Sequence, residues 1–412
     1  MIEVEEHLAR VLAATPRLPA ETLDVREATG RTLAADVAAV HDVPAFENSS
    51  MDGFAVRFAD VASATEERPA VLAVVADVPA GSELDPPLLP GQAVRLMTGS
   101  ALPSDADTVV PFEHTAEGLT AEVPRHVTVE SAPRAVGVFV RRRAEDLATG
   151  DVVMRAGTLL GPRQVSGLLA AGVTRAEVAR VPRVAVVATG SELVTDGSPL
   201  GRGQVPESNG AMVAGLSREA GAEVVHVGTV VDEDAAVLEV VRRLTEAGAD
   251  VVVLTGGVSA GAYDAVKSAL GGSGAMQFDA VAMQPGKPQG FGASPDGPLL
   301  FGLPGNPVSA AVSFEVFVRP ALLAMQGRPS TVRRMVRATV SGGWRCPPAR
   351  RQYVPVVLDT SDPASWSVRP TSSGHSGSHL VASLAHADGY AVVPAATTEV
   401  RVGDVVDVML VT

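Results

Sequence analysis

Between residues 183 and 326 the chain alternates short, wholly apolar runs with helical stretches, and no other feature limits its fold so tightly. The run Val184–Ala188 leads into Thr189-Gly190-Ser191-Glu192. A helix over Asn209–Ala220 follows, with Gly221 as its C-terminal cap, then a strand Glu223–Val230, a helix Asp234–Ala247 and a strand Asp250–Leu254. A helix Asp264–Leu270 and a strand Leu299–Phe301 come next. A long helix then runs from Asn306-Pro307 to about Met325, Asn being a favoured N-cap and Pro a favoured first-turn residue. Continuous apolar strands separated by helices build βαβ units around a parallel sheet with both faces covered.

The flanking segments follow other periods. Residues 3–14 predict an amphipathic helix with Val4, Leu8, Val11 and Leu12 on one face, ended by Pro16 and Pro19. From 31 to 160 the runs Val71–Val75, Ala93–Met97, Thr108–Val110 and Val127–Val129 alternate with Pro, Gly and Asp clusters, which is a β-rich pattern. Gly161–Gly172 reads as a short helix. Past Gly327, Met335–Val340, Tyr353–Leu358, Ser367–Arg369, Tyr390–Val393 and Val405–Val411 predict a small all-β barrel or sandwich, with 371–379 as a polar loop. A chain of 412 residues exceeds one ordinary core, so two to four domains are expected.

Charge narrows the partners. A net charge of −14 disfavours nucleic acid and anionic membranes. An anionic ligand needs local help from a metal ion, backbone N–H groups or a few placed cations. Cys346 is the only cysteine, which excludes an internal disulfide and a cysteine-based zinc site. Met1 to Glu6 is acidic where a signal peptide carries positive charge, and no run of about 18 apolar residues stands out. A cytoplasmic protein is expected.

In an open parallel α/β sheet, ligands bind at the carboxyl ends of the strands. Four strands of the 183–326 region end in ATGSEL with Glu192, VVDED with Asp232, TGGVSAGAYD with Gly256, Gly257, Ser259 and Asp264, and GLPGNP with Gly305 and Asn306. Any one of these loops reads equally as turn glycines and helix-capping acids. Four on one edge point to a ligand: small residues let it approach backbone N–H groups that cradle phosphate, and the carboxylates can hold Mg²⁺, which bridges to it. Taken alone, the loop around Asp52 in PAFENSSMDGFAVR reads as a hairpin turn, and RRRAED with Asp146 as a solvated charge cluster. His375 and His379 do not make a zinc helix, and Gly286-Lys287-Pro288 is not a P-loop.

These segments, in order, resemble the molybdopterin molybdotransferases, the family of MoeA and the gephyrin E domain. The resemblance spans nearly the whole chain through PAFENSSMDGFAVR (44–57), MTGSALPSDADTVV (97–110), RRRAEDLATGD (141–151), VAVVATGSEL (184–193), LTGGVSAGAYDAVK (254–267), QPGKPQGFG (284–292), GLPGNPVSA (302–310) and SGSHLVASLAHADGYAVVP (376–394). It implies a multidomain α/β plus β architecture in four parts. These are a discontinuous linking domain (1–45 and 146–177), an inserted β domain (46–145), a molybdopterin-binding-like α/β domain (178–326) and a C-terminal β-barrel (327–412). It also implies an elongated homodimer with shared active sites. The implied reaction takes adenylylated molybdopterin and molybdate to molybdenum cofactor and AMP. By motif position, Asp52, Asp146, Glu192, Asp232 and Asp264 inherit catalytic roles, with Thr98 beside them. Glu192 and Asp264 inherit the Mg²⁺. Ser259, Lys287 and Ser309 would lie near the oxyanion and the pterin phosphate, with Gly256, Gly257, Gly305 and Asn306 in the phosphate loops. Arg350 and Ser378 would reach over from the C-terminal domain.

Three positions depart from the pattern. Gln284 stands where Lys is frequent, Ala144 where Gly is usual, and Pro355 where Arg is common. A sister adenylyltransferase would carry Thr-Gly-Gly-Thr-Gly where this chain has Thr255-Gly256-Gly257-Val258-Ser259, and would lack the flanking β domains. A binding scaffold would not need the acids, all of which are present.

Overall fold

The computed structural model describes residues 1–258, 264–294, 297–372 and 379–411. Helix α1 (Val4–Ala14) packs on the α/β region through Val4 and Val11, and through His7, which the apolar pattern does not mark. His7 is 1% exposed and meets the Phe317 ring edge-on at 4.6 Å. Strand β1 (Ala20–Asp24) pairs antiparallel with a strand more than 150 residues later, so the start of the chain returns beside the middle. The inserted region contributes β2 (Gly53–Val56), β3 (Ala70–Val78), β4 (Gln92–Leu96), β5 (Thr108–Pro111) and β6 (His126–Val129), in one sheet of order β5-β2-β4-β3-β6. Helix α2 (Pro162–Ala170) and β7 (Arg175–Ala179), the partner of β1, close a linking core around Val25, Leu33, Leu160, Leu168 and Val178.

The α/β region follows with β8 (Arg183–Thr189), α3 (Asn209–Glu219), β9 (Glu223–Val230), α4 (Asp234–Glu246), β10 (Val251–Thr255), β11 (Gln277–Ala280), β12 (Met283–Gln284), β13 (Pro288–Gly292), β14 (Leu299–Leu303) and α5 (Pro307–Met325). Its sheet runs β9-β8-β10-β14-β13-β11, the first four strands parallel. Period-two side-chain alternation splits each central strand between two cores. Val184, Val186, Val251, Val253, Leu299 and Phe301 face α1, α3 and α5. Ala185, Val187, Val252, Leu254 and Leu300 face α4 and the turn at Ala265–Leu270. Two findings differ from the sequence reading. Strands β13 and β11 extend the parallel sheet antiparallel, making it mixed. The expected helix Asp264–Leu270 is wound as a π-helix over Lys267–Gly271.

Helix α5 is long and apolar enough to cross a membrane, but 89% of that window lies inside the protein, so it is a core helix. The last region holds β15 (Met335–Val340), β16 (Arg351–Asp359), β17 (Ser367–Pro370), β18 (Gly389–Val393) and β19 (Val405–Leu410). The ring β16-β17-β15-β19-β18 closes because β18 also pairs with β16, leaving no open edge among these five strands. The barrel joins the α/β region through its core and through a strand pairing. Tyr353, Tyr390 and Met409 enter the α/β core, and β12 pairs parallel with β16 through Met283↔Arg351 and Gln284↔Gln352.

Candidate active site

The carboxyl ends of β9, β8, β10 and β14 open into one cleft of about 1130 Å³. Glu192, Asp232, Gly256, Gly257, Asp264, Lys287, Gly305, Asn306, Ser309 and Arg350 all line it, so the structure brings ten of the expected residues together. Ser259 and Ser378 lie outside the described residues. Asp52, Thr98 and Asp146 do not line the cleft; they sit in the inserted β region and at its return to the linking core.

The loops are packed against one another. Gly256 has φ +96°, and a Cβ there would come within 2.5 Å of the Thr189 carbonyl oxygen. Gly257 has φ +64°, with Val266 pressing on it. Only glycine allows both the backbone conformation and the approach. The Gly256 N–H donates to the Leu303 carbonyl at 3.0 Å, tying the third loop to the fourth. The Ser191 N–H donates to Asp232 Oδ2 at 3.1 Å, tying the first to the second. Asp232 thus serves one backbone donor, and Glu192 and Asp264 line the same cleft.

Helix α5 begins at the cleft: Pro304, Gly305, Asn306, Pro307 and Ser309 line it. Its first-turn N–H groups and its dipole favour an anion there. Lys287 and Arg350 add positive charge, and among the described residues neither forms an ion pair with a carboxylate. The Arg350 Nη1–H donates instead to Gln284 Oε1 at 3.2 Å. No group of three His, Cys, Asp or Glu side chains converges among the described residues. That donor set does not suit a closed zinc site. It suits Mg²⁺, which takes one or two carboxylates and completes its shell from phosphate and water.

The sequence reading missed Asn209 and took Gln284 only as a missing cation. Asn209, at the start of α3, is buried and its Nδ2–H donates to the Gly305 carbonyl at 2.7 Å, holding the fourth loop. The cue was a polar amide opening a helix just after the short Val205–Pro206 strand, which pairs with Leu193–Val194 beside Glu192. Outside the cleft, Asp52 Oδ1 accepts from the Thr98 N–H at 2.6 Å and its hydroxyl at 2.8 Å. The Thr98 N–H, then its hydroxyl, hold the Asp52 carboxyl below its ordinary range. Asp146 anchors its own loop, its N–H donating to the Val43 carbonyl at 2.9 Å. Just before it, Ala144 has φ +59°, the conformation for which glycine is the usual choice.

Three family models match this chain in order: the MoeA N-terminal region (domain I and II) over residues 2–172, a probable molybdopterin binding domain over 185–324, and the MoeA C-terminal region (domain IV) over 337–411. The chain belongs to the MoeA family. A family relative named molybdopterin molybdenumtransferase 2, from Mycobacterium tuberculosis, is 38% identical over 410 residues, covering 98% of each chain. A molybdopterin molybdenumtransferase from Staphylococcus aureus is 33% identical, covering 99% of this chain and 95% of that one. A molybdopterin biosynthesis MoeA protein of Pyrococcus horikoshii superposes with a TM-score of 0.83 at 27% identity, each chain covered in full. Likeness of this extent to MoeA-family transferases makes the chain a transferase of that family.

Proposed function

We propose that the chain inserts molybdenum, supplied as molybdate, into the dithiolene of adenylylated molybdopterin and releases AMP. The observation that carries this is one cleft in which acids, glycine loops, a helix N-terminus and two cations, unpaired with carboxylates among the described residues, meet at the strand ends. Backbone N–H groups at Gly257 and Gly305, with the first turn of α5, bind the pyrophosphate. Lys287 and Arg350 bind the oxyanion, Arg350 through its planar fork. Glu192 and Asp264 would hold Mg²⁺, which when bound draws charge from the pyrophosphate oxygens.

An oxygen of molybdate, or water, attacks the adenylyl phosphorus. The new P–O bond forms as the bridging P–O bond breaks. AMP leaves with the incoming oxygen, and the pterin keeps its own phosphate. The dithiolene sulfurs take the vacated place on molybdenum, so one oxygen leaves the metal on AMP or as water. Label from ¹⁸O-molybdate recovered in AMP supports direct attack; its absence assigns the attack to water.

Asp52, Thr98 and Asp146 complete the site from a second copy of the chain, since within one chain they stand apart from the cleft. The cytoplasm is the compartment this reading implies. The test is molybdate-dependent AMP release by the purified full chain with adenylylated molybdopterin and Mg²⁺, followed by reconstitution of a cofactor-free molybdoenzyme. Glu192→Gln and Asp264→Asn each lower AMP release on the order of a hundredfold; unchanged release in both would place the chemistry elsewhere. Mixing Asp52→Asn chains with Glu192→Gln chains restores about a quarter of wild-type activity if sites are shared across a twofold axis. No recovery in mixed dimers would put the whole site in one chain.

A further inference from the structure

We propose that Gln284 is a positioning residue that aims Arg350 at the oxyanion, so that a cation in place of Gln284 weakens molybdate binding instead of strengthening it. This rests on the placement of molybdate beside Arg350 given above. The parallel bridge of β12 to β16, with the Arg351 N–H donating to the Ala282 carbonyl at 2.9 Å, brings the barrel to the cleft edge at residue 350. One residue earlier, Ala349 has φ +56°, a left-handed backbone that a residue with a Cβ rarely adopts. The chain therefore enters Arg350 through a sharp local turn.

The end of the side chain is held by a second device, the Gln284 Oε1 acceptor at 3.2 Å. An arginine tethered by a carboxylate would have its charge offset. A neutral carbonyl fixes the guanidinium and leaves its full charge for a dianion. Accepting from Arg350 also fixes which way the Gln284 amide faces, and its Nε2 makes no hydrogen bond among the described residues. Gln284 thus supplies one acceptor to Arg350 and keeps its neutral amide N–H₂ group beside the cleft that both residues line. Lysine at 284 would remove the acceptor and set a second positive charge against Arg350. Adding a cation at 284 and losing the aim of the one already at 350 have opposite effects on anion binding, which makes the inference testable by sign.

The experiment titrates molybdate into the full-length protein by calorimetry, and measures molybdate KM in the AMP-release assay, for wild type, Gln284→Met, Gln284→Lys, Arg350→Ala and Gln284→Met/Arg350→Ala. Gln284→Met keeps the shape without the acceptor and raises molybdate Kd and KM roughly tenfold, the effect of one charge-assisted hydrogen bond. The KM for adenylylated molybdopterin stays within about twofold, the separation expected of a subsite-specific effect. Gln284→Lys raises the molybdate constants at least as much. In the Arg350→Ala background, Gln284→Met adds nothing, because the group it aims is gone. Tighter molybdate binding by Gln284→Lys, or fully additive effects in the double variant, overturns the inference while leaving the subsite in place. Unchanged molybdate binding in Arg350→Ala overturns the subsite and the inference together.

Discussion

Consider Glu315→Gln. Glu315 lies within α5, its side chain 1% exposed, and accepts from Arg333 Nε at 2.8 Å and Arg333 Nη2 at 2.9 Å. Arg319 Nε stands 3.7 Å away, and its Nε and Nη1 are buried with no hydrogen-bond partner. Burial, then the charge of Arg333, hold the Arg319 guanidinium below its usual value. Two largely buried guanidiniums therefore share one buried carboxylate. The other carboxylate within 4 Å of Arg333 among the described residues is Glu219, 3.7 Å away and 60% exposed. Gln keeps the shape and one acceptor but removes the charge. Leaving buried charge uncompensated in this way costs about 3–5 kcal/mol.

The structure also sets the order of damage. Arg333→Gln leaves Glu315 with Arg319, so it should cost less, about 1–3 kcal/mol. The cluster joins α5, the segment leading into β15, and Tyr390 on β18, whose hydroxyl burial and the nearby Glu315 charge push upward in pKa. Its loss should loosen the barrel first. Both tryptophans, Trp344 and Trp366, lie in the C-terminal region, so their fluorescence in a urea titration follows that part of the molecule. Proteolysis between 327 and 334 gives an independent reading of the same release. A Glu315→Gln midpoint corresponding to less than about 1 kcal/mol, or Arg333→Gln proving the more damaging of the two, would refute the shared-carboxylate account.

The remaining predictions concern backbone, titration and loop support. Ala144→Gly relieves about 1–2 kcal/mol of left-handed backbone energy and returns about 0.4–1 kcal/mol through the freer unfolded chain, so it should stabilise by about 0.5–1 kcal/mol; a lower urea midpoint contradicts this. Burial holds the His7 imidazole at a pKa of about 4. Its native form is neutral, so its contribution is full above the unfolded pKa of about 6.5 and is lost as pH falls towards 4, on the order of 3 kcal/mol in all. His7→Phe should flatten stability across that window, measured by urea titrations at several pH values; an unchanged slope contradicts it. Asn209→Asp places a carboxylate against the Gly305 carbonyl and should raise the KM for adenylylated molybdopterin roughly tenfold with little change in the Kd for molybdate, whereas equal effects on both would deny Asn209 a loop-specific role.

What could be read from the residues depended on how periodic they are. Strands β8 and β10 carry unbroken apolar runs because both their faces are buried, and β9 matches its expected span residue for residue although it is an edge strand with no fully buried residue. Strand β13 escaped because Pro288, Gly290 and Gly292 break the pattern, and β11 because its four residues, Gln277-Phe278-Asp279-Ala280, are too few to show a period. The glycines are there for packing: a Cβ on Gly292 would lie 2.1 Å from the Ala275 carbonyl oxygen. His7 escaped because a buried imidazole fills an apolar position without an apolar name. In the cleft, the four loops were legible from strand ends alone. Asp52 and Asp146 entered only through the resemblance, and their distance from the cleft within one chain shows why: no local pattern links residues that a single copy does not bring together. Gln284 was noticed as a missing cation, while its contact with Arg350 gives it a role of its own.

The cleft also answers how a chain of net charge −14 can attract anions. Long-range charge works against it, so attraction must come from groups close to the ligand. Several cations elsewhere are tied to carboxylates: Arg95 with Asp77, Arg180 with Asp250, Arg242 with Glu239 and Glu246, Arg333 with Glu315. Lys287 and Arg350 are not, among the described residues, and they stand at the mouth of a helix N-terminus. Short-range attraction of this kind is screened less than that of exposed charges a Debye length apart, about 8 Å at physiological ionic strength. Molybdate affinity should therefore fall by less than about threefold between 50 and 200 mM salt, far less than the steep loss seen when many counterions are released. Calorimetric titration at the two salt concentrations reads it directly. A tenfold or greater loss would mean that the anion is drawn by an extended basic surface, and that two local cations are not enough.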